Sequence, residues 1–220
     1  MKLIEAKNKL DKLAYKKFSE ILLPYELENI KINKGKSGQI LEIHLGMVLS
    51  NRNLDFEDGE LKTNKCDACG NSKETMAITQ ISSHIDDFIS KPPKDFEKTH
   101  LYEKIFNFLY VPVCKEGFPE NWFFMPCKHI NLSEKNFEEL RKILEEDYYC
   151  ICAQLRQQVE SAQTLHTANG RFLQVRTKDS KNNGKYHEIN SNIFKITVSD
   201  KNRAFYFKKD FMSYLNTGGY

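Results

Sequence analysis

The chain has 220 residues, 40% of them hydrophobic, six Cys and a net charge of +3. That length and apolar content suit one large domain, or a domain with a small lobe, around a real core. No uninterrupted apolar run approaches the ~20 residues of a membrane span, which argues against a membrane protein, and the start, Met-Lys-Leu-Ile-Glu-Ala-Lys-Asn-Lys, is charged where a secretory signal needs an apolar run. Six Cys without such a signal fit reduced thiols in a cytoplasmic protein.

Along the chain, Leu3, Leu10, Leu13, Ala14, Phe18, Ile21 and Leu22 form a helical stripe that Pro24 ends. Residues 38–49 read as a second, apolar helix, and 59–63 as a strand. Residues 66–72 are turn-rich, and 75–81 alternate like a returning strand. Pro92 and Pro93 mark a loop. Residues 101–108 look helical and run into a strand through Val111-Pro-Val113; residues 121–125 form another, aromatic strand. Ser133 is placed to cap a long helix through Glu145 towards Val159. Strand-like runs follow at 171–176, 193–198 and 204–207, then a short helix at 210–215. The mixture predicts an α/β or α+β fold with a mixed sheet.

Chemistry concentrates in a few places. In Leu54-Asp-Phe-Glu-Asp-Gly-Glu-Leu-Lys-Thr63, Glu60 and Lys62 are two apart, so on a strand both face one way while Leu61 faces a core. Gly59 permits a sharp turn between Asp55 and that strand. Two carboxylates and a lysine can build a Mg²⁺ site that cuts a phosphodiester; a solvated polar strand carries the same spacing. Glu42 lies in Gln39-Ile-Leu-Glu-Ile-His-Leu45 among Ile40, Leu41 and Ile43, where a buried carboxylate needs a metal ion or a lysine to offset its cost, unless it faces solvent beside Gln39. Gly35-Lys-Ser37 lacks the upstream glycine of a P-loop, since Ile30 stands there. It leaves a lysine-rich loop opening a helix, which either favours phosphate or is an ordinary loop. Cys66-Asp-Ala-Cys69 looks like half a zinc ribbon, but Cys127-Lys-His129 is the only second half on offer, so a hairpin turn fits better than zinc. Residues 171–220 carry ten Lys/Arg against four Asp/Glu with Phe and Tyr interleaved, which suits a polyanion such as DNA or a solvated face.

Taken in order, Gly35-Lys-Ser-Gly-Gln-Ile-Leu-Glu-Ile-His-Leu-Gly46, Leu54-Asp-Phe56, Gly59-Glu-Leu-Lys-Thr63, Glu74-Thr75, Leu109-Tyr-Val-Pro-Val113, Gly170-Arg-Phe-Leu-Gln-Val-Arg176 and Phe205-Tyr-Phe-Lys-Lys-Asp-Phe211 resemble the MutH family. That family holds a mismatch-repair nicking endonuclease and type II restriction endonucleases that cut GATC. The resemblance spans most of the chain, from about residue 34 onward. It implies a PD-(D/E)xK restriction-endonuclease-like fold, with a mixed central sheet flanked by helices and two lobes around a DNA cleft. The catalytic lobe would span about 30–130 and the DNA-reading lobe about 131–220, within one domain.

By position, the resemblance implies that Asp55 and Glu60 hold Mg²⁺, with Glu42, Lys62 and Lys104 completing the catalytic set. It implies that Lys34 lies near the DNA backbone, that Arg176 and Lys178 contact the GATC bases, and that Tyr206 senses adenine methylation. It places the Cys66–Cys69 segment on a hairpin without metal ligands. The implied partner is double-stranded DNA in a bacterial cytoplasm, with a homodimer on the DNA left open. Three activities stay open: a restriction endonuclease cleaving unmodified GATC to leave 5′-phosphate ends, a nicking enzyme working with a repair partner, and a catalytically silent DNA-binding effector domain. The intact Asp55, Glu60 and Lys62 argue against the third. An Asp55-to-Glu60 interval two residues shorter than in MutH itself, Thr177 where MutH has proline, and a shorter C-terminus favour the first.

Overall fold

The computed structural model describes residues 1–32, 37–46 and 53–218. Lys34 lies outside the described residues, as does the last part of the helix expected over 38–49. In chain order the elements are α1 (Leu3–Asp11), α2 (Phe18–Ile21), α3 (Pro24–Ile32), α4 (Ser37–His44), β1 (Glu60–Cys66), β2 (Met76–Gln80), α5 (Ile85–Ile89), α6 (His100–Ile105) and β3 (Asn107–Cys114). Then come β4 (Phe123–Phe124), β5 (Lys128–Asn131), α7 (Glu138–Glu160), β6 (Ala168–Asn169), β7 (Leu173–Thr177), β8 (Ile189–Ser191), β9 (Ile196–Ser199), β10 (Arg203–Phe207) and α8 (Lys209–Asn216). The fold is mixed α and β, as the alternation of elements predicts. Among the described residues no helix is long and apolar enough to cross a membrane.

The described strands form two four-stranded sheets and a two-stranded ribbon, β8 with β9, where one central sheet was expected. In the first sheet β1 runs parallel to β3, while β4 and β5 are both antiparallel to β3. The second, in the order β2-β10-β7-β6, is antiparallel throughout. The expected return of β2 along β1 is only begun: Cys66 bridges Ser72 and the Lys73 N–H donates to the Lys65 carbonyl, after which β2 leaves to pair with β10. That hairpin joins the two sheets.

β3 is the hinge of the packing. Its side chains alternate between two cores: Phe108 and Tyr110 point into one, and Leu109, Val111 and Val113 into the other. A strand buried on both faces reads as an unbroken apolar run, which Asn107-Phe-Leu-Tyr-Val-Pro-Val-Cys114 nearly is. Pro112 falls between the stretches paired with β5 and β4, so its missing N–H interrupts neither ladder. The second core takes the N-terminal helices; the first takes residues 76–105 together with α7 and the C-terminal strands. Residues 76–132 thus contribute to both cores.

Several local expectations are corrected. The N-terminal stripe is three helices, because residues 12–17 leave the helical path with Tyr15 at φ 61° and bridge β4 through Ala14 and Lys17. Leu10, Phe18 and Leu22 still reach one core, and Pro24 opens α3 where it was expected to end a helix, as suits the first helical turn. α7 is not capped by Ser133: a 3₁₀ turn at Lys135–Phe137 intervenes and no side chain caps the helix. The strand expected over 193–198 is shorter, and its partner β8 went unseen.

Gly59 is needed for a different reason from the turn. It does not take a positive φ, but a Cβ there would lie 2.1 Å from the Asn107 carbonyl oxygen and 2.6 Å from Leu3 Cδ1. Gly59→Ala should push the start of β1 off β3, costing about 1–3 kcal/mol, as overpacking does. Urea unfolding checks this, and an unchanged midpoint would show that the contact relaxes freely.

Candidate active site

Glu60, Lys62 and Asn64 share the face of β1 that is in register with Phe108 and Tyr110, while Leu61 enters the opposite core. The period-two reading of this strand is what the structure contains. The segment before it is pinned at its end. Asp58 Oδ1 accepts from the Leu3 N–H at 2.8 Å, and its carbonyl accepts from Asn107 Nδ2 at 2.6 Å. The Phe56 N–H closes onto the Gly59 carbonyl at 2.9 Å. This geometry turns Asp55 back onto the strand, where its Oδ2 accepts from the Leu61 N–H at 2.9 Å.

Glu60 is the centre of the arrangement. Its side chain is only 3% exposed, and it accepts from Lys62 Nζ at 2.5 Å on one oxygen and from Lys104 Nζ at 2.6 Å on the other. α6 supplies Lys104 and is itself capped by Thr99, whose hydroxyl accepts from the Tyr102 N–H. Burial pushes the Glu60 pKa up, but the Lys62 charge and the Lys104 hydrogen bond outweigh it and hold the carboxyl below its ordinary value.

Asp55 and Glu42 behave oppositely. Burial, then repulsion from Glu60, raises Asp55 despite the Leu61 N–H. Burial, then Asp55 and Glu60, raises Glu42, with Lys62 opposing. α4 brings Glu42 there by burying Ile40, Leu41 and Leu45 in the second core, with Gly38 close against Thr63 of β1. Ile43 faces out. Both lysines hydrogen-bond to one carboxylate, and the two others are raised by burial first and by their carboxylate neighbours second. These carboxylates are near enough to repel one another, a repulsion that a cation between them would relieve.

The second sheet supplies the other candidates. Lys178 follows β7, and its pKa is lowered by burial and then by Lys62, which places the two ammonium groups near one another. Lys178 keeps solvent access and lines a cleft with Gln80, Asp179, His187 and Asn202. Two residues earlier, Arg176 is exposed, its Nη1 donates to Thr75 Oγ1 at 3.4 Å and its guanidinium lies 5.4 Å from the Tyr206 ring centroid. β10 pairs with β7 so that Ala204 opposes Arg176, which puts Tyr206 on the same face. Arg176 and Tyr206 are therefore neighbours, and Lys178, two residues on from Arg176, feels the Lys62 charge. Glu42, Asp55, Glu60, Lys62 and Lys104 come together; Lys34 is outside the described residues.

The cysteine segment is a turn. Asp67 Oδ1 accepts from the Cys69 and Asn71 N–H groups at 3.0 and 2.8 Å, an Asx arrangement that closes it. Burial pushes the Cys66 thiol up to about 12, whereas Cys69 is exposed.

No protein-family model matches the chain, and no curated protein matches it.

Sequence reasoning missed the supports. Asp147, buried on α7, accepts from the Arg171, Phe172 and Leu173 N–H groups at 2.5, 2.6 and 2.7 Å and so sets the start of β7. Asn53 and Glu103 join the Asp55 segment to α6. The one signal for Asp147 was an acidic residue on the apolar stripe of a long helix, among Leu144, Tyr148 and Ile151.

Proposed function

We propose that the protein is a Mg²⁺-dependent, sequence-specific DNA endonuclease of the PD-(D/E)xK type, a restriction enzyme cleaving unmodified GATC to leave 5′-phosphate ends. The observation that carries the proposal is the meeting of Asp55, Glu60 and Lys62 at the start of β1, beside Glu42 and Lys104. Arg176 and Lys178, both exposed, with the Lys62 charge felt at Lys178, suit a polyanionic substrate.

The donor set fits Mg²⁺. Among the described residues no three His, Cys, Asp or Glu side chains form a ready-made metal cage. Mg²⁺ needs none, since it binds through one or two carboxylates with waters and substrate phosphate completing the shell. Asp55 and Glu60 would hold it; burial and then mutual repulsion raise Asp55 and Glu42, and the repulsion is what the ion would neutralise. When bound, it supplies charge neutralisation at a nonbridging phosphate oxygen and a water of lowered pKa. Lys62 would orient the attacking water and stabilise charge on the pentavalent transition state. Lys104 would hold Glu60 in place from the other side. Water attacks phosphorus in line with the 3′ oxygen, the P–O3′ bond breaks, and O3′ leaves with its electron pair and takes a proton. The products are a 3′-hydroxyl and a 5′-phosphate.

Arg176 and Lys178 would read guanine acceptors in the major groove, and Tyr206, stacked by Arg176, would stand where an altered adenine is felt. Arg176→Ala should lose about 1–3 kcal/mol of discrimination at one base pair, measured by competition between the target site and single-substitution variants. Uniform weakening on all sequences would make Arg176 a phosphate contact instead.

Metal binding can be tested without turnover. Mg²⁺ at ten times its Kd should stabilise the protein by about 1.4 kcal/mol, seen as a rise of a few degrees in thermal midpoint, and Asp55→Asn should remove the rise. A rise that persists in Asp55→Asn would put the ion elsewhere. The activity itself is tested by Mg²⁺-dependent cutting of supercoiled plasmid that stops with chelator and is lost in Glu60→Gln; equal cutting by that variant would sink the proposal.

A further inference from the structure

We infer that Glu103 is a positioning residue of the cleavage site, holding the Asp55 segment against α6 through Asn53. The inference rests on the endonuclease reading above and deepens it.

Glu103 and Lys104 are consecutive on α6, so their side chains leave the helix about 100° apart. Asn53 sits in that fork. Its side-chain amide donates to Glu103 Oε1, and its carbonyl accepts from Lys104 Nζ. The same Lys104 Nζ reaches Glu60 at 2.6 Å. Asn53 is thus held at both ends of its own residue, two positions before Asp55. The far end of the segment is already fixed by Asp58 on Leu3 and Asn107. With Glu103 in place the Asp55 segment is tied at start and finish; without it the start hangs, among the described residues, on one lysine that Glu60 also claims.

Glu103 is itself aimed. His100, three residues earlier on α6, donates Nδ1–H to Glu103 Oε2 at 3.0 Å. His84 stacks on the His100 ring at 4.9 Å between centroids and 28° between planes. These rings line a cleft of about 670 Å³ that also includes Asn53 and Glu103. The hydrogen bonds from Asn53 and His100 outweigh burial and keep the Glu103 carboxyl below its ordinary value, so it accepts from both as the anion. An ordinary surface pair would join a long side chain to one neighbour. This carboxylate joins a helix to the backbone segment that presents Asp55.

The test uses Glu103→Ala, Asn53→Ala, the double variant and Glu103→Gln in the full chain. The readouts are the single-turnover cleavage rate on GATC duplex with saturating enzyme and Mg²⁺, and the Kd for that duplex in Ca²⁺. Each single Ala variant should slow cleavage by about 10- to 100-fold, the scale of a small misplacement, with Kd changed less than about twofold. The double variant should be no slower than the slower single, since both remove one link. Glu103→Gln should recover part of the rate, because its amide oxygen can still accept from Asn53. A wild-type rate in Glu103→Ala, additive losses in the double variant, or a fall in affinity matching the fall in rate would each overturn the inference. Thermal midpoints separate misfolding from misplacement, and the exposed Asn53→Ala keeps the test open if Glu103→Ala is unstable. A wild-type chain that cuts no DNA would instead overturn the endonuclease reading.

Discussion

Lys62→Ala is expected to reduce Mg²⁺-dependent cleavage by at least about a thousandfold while DNA affinity stays nearly intact. Losing one preorganised donor to transition-state charge costs roughly 10²–10³ in rate, and Lys62 would both orient the water and meet that charge. It stands on one oxygen of Glu60 at 2.5 Å, with Lys104 on the other. Glu60 therefore keeps a partner when Lys62 is removed. The cost to stability is that of one charged hydrogen bond, about 1.5–3 kcal/mol, so the variant should stay folded. Binding should survive because phosphate register comes from many contacts, of which Lys62 would be one. Single-turnover cleavage and a gel-shift titration on the same duplex measure the two quantities. Ordinary turnover in the variant would remove Lys62 from the chemistry; parallel loss of binding would make it an anchoring residue.

The largest effect on stability should come from Asp147→Ala. One carboxylate 5% exposed on α7 satisfies three consecutive N–H groups, those of Arg171, Phe172 and Leu173. The backbone comes so close that a Cβ on Gly170 would lie 2.3 Å from Asp147 Cγ. Truncation leaves up to three donors, two of them in the interior, without a partner. At about 1–3 kcal/mol for each unsatisfied group, and with partial relaxation, the expected loss is about 3–5 kcal/mol. Because β7 begins at Leu173 and carries Arg176, the same variant should also blur base discrimination before it unfolds. Urea unfolding measures the first effect; a loss below about 1 kcal/mol would mean that water or another side chain takes over the three donors.

What could be read from residues alone follows the range of the forces involved. The facing of Glu60 and Lys62 against Leu61 was legible because the two-residue period of a strand is local. α7 was legible for the same reason, since Leu140, Leu144, Tyr148, Ile151 and Leu155 repeat on one face. The break after α1 was not, because Ala14 and Lys17 leave the helix to bridge Phe124 and Phe123, more than a hundred residues away. Nor was the departure of β2: alternation in Met76-Ala-Ile-Thr-Gln80 marks a strand but not its neighbour, and β10 lies near the other end of the chain. At the site, Asp55, Glu60 and Lys62 form a local pattern. The Lys104–Glu60 pair spans 44 residues, and only the family resemblance pointed to Lys104. Asn53 and Glu103 meet across the fold and leave no spacing to read, and the place of Asp147 on an apolar stripe marks it without showing which N–H groups it serves.

The most direct test of the central claim is digestion of supercoiled plasmid with Mg²⁺, using unmodified and adenine-methylated DNA, followed by sequencing of the product ends. The expected result is breaks in both strands at GATC in the unmodified plasmid, carrying 5′-phosphates, and protection of the methylated one. DNA left intact, or ends scattered without regard to GATC, would contradict it.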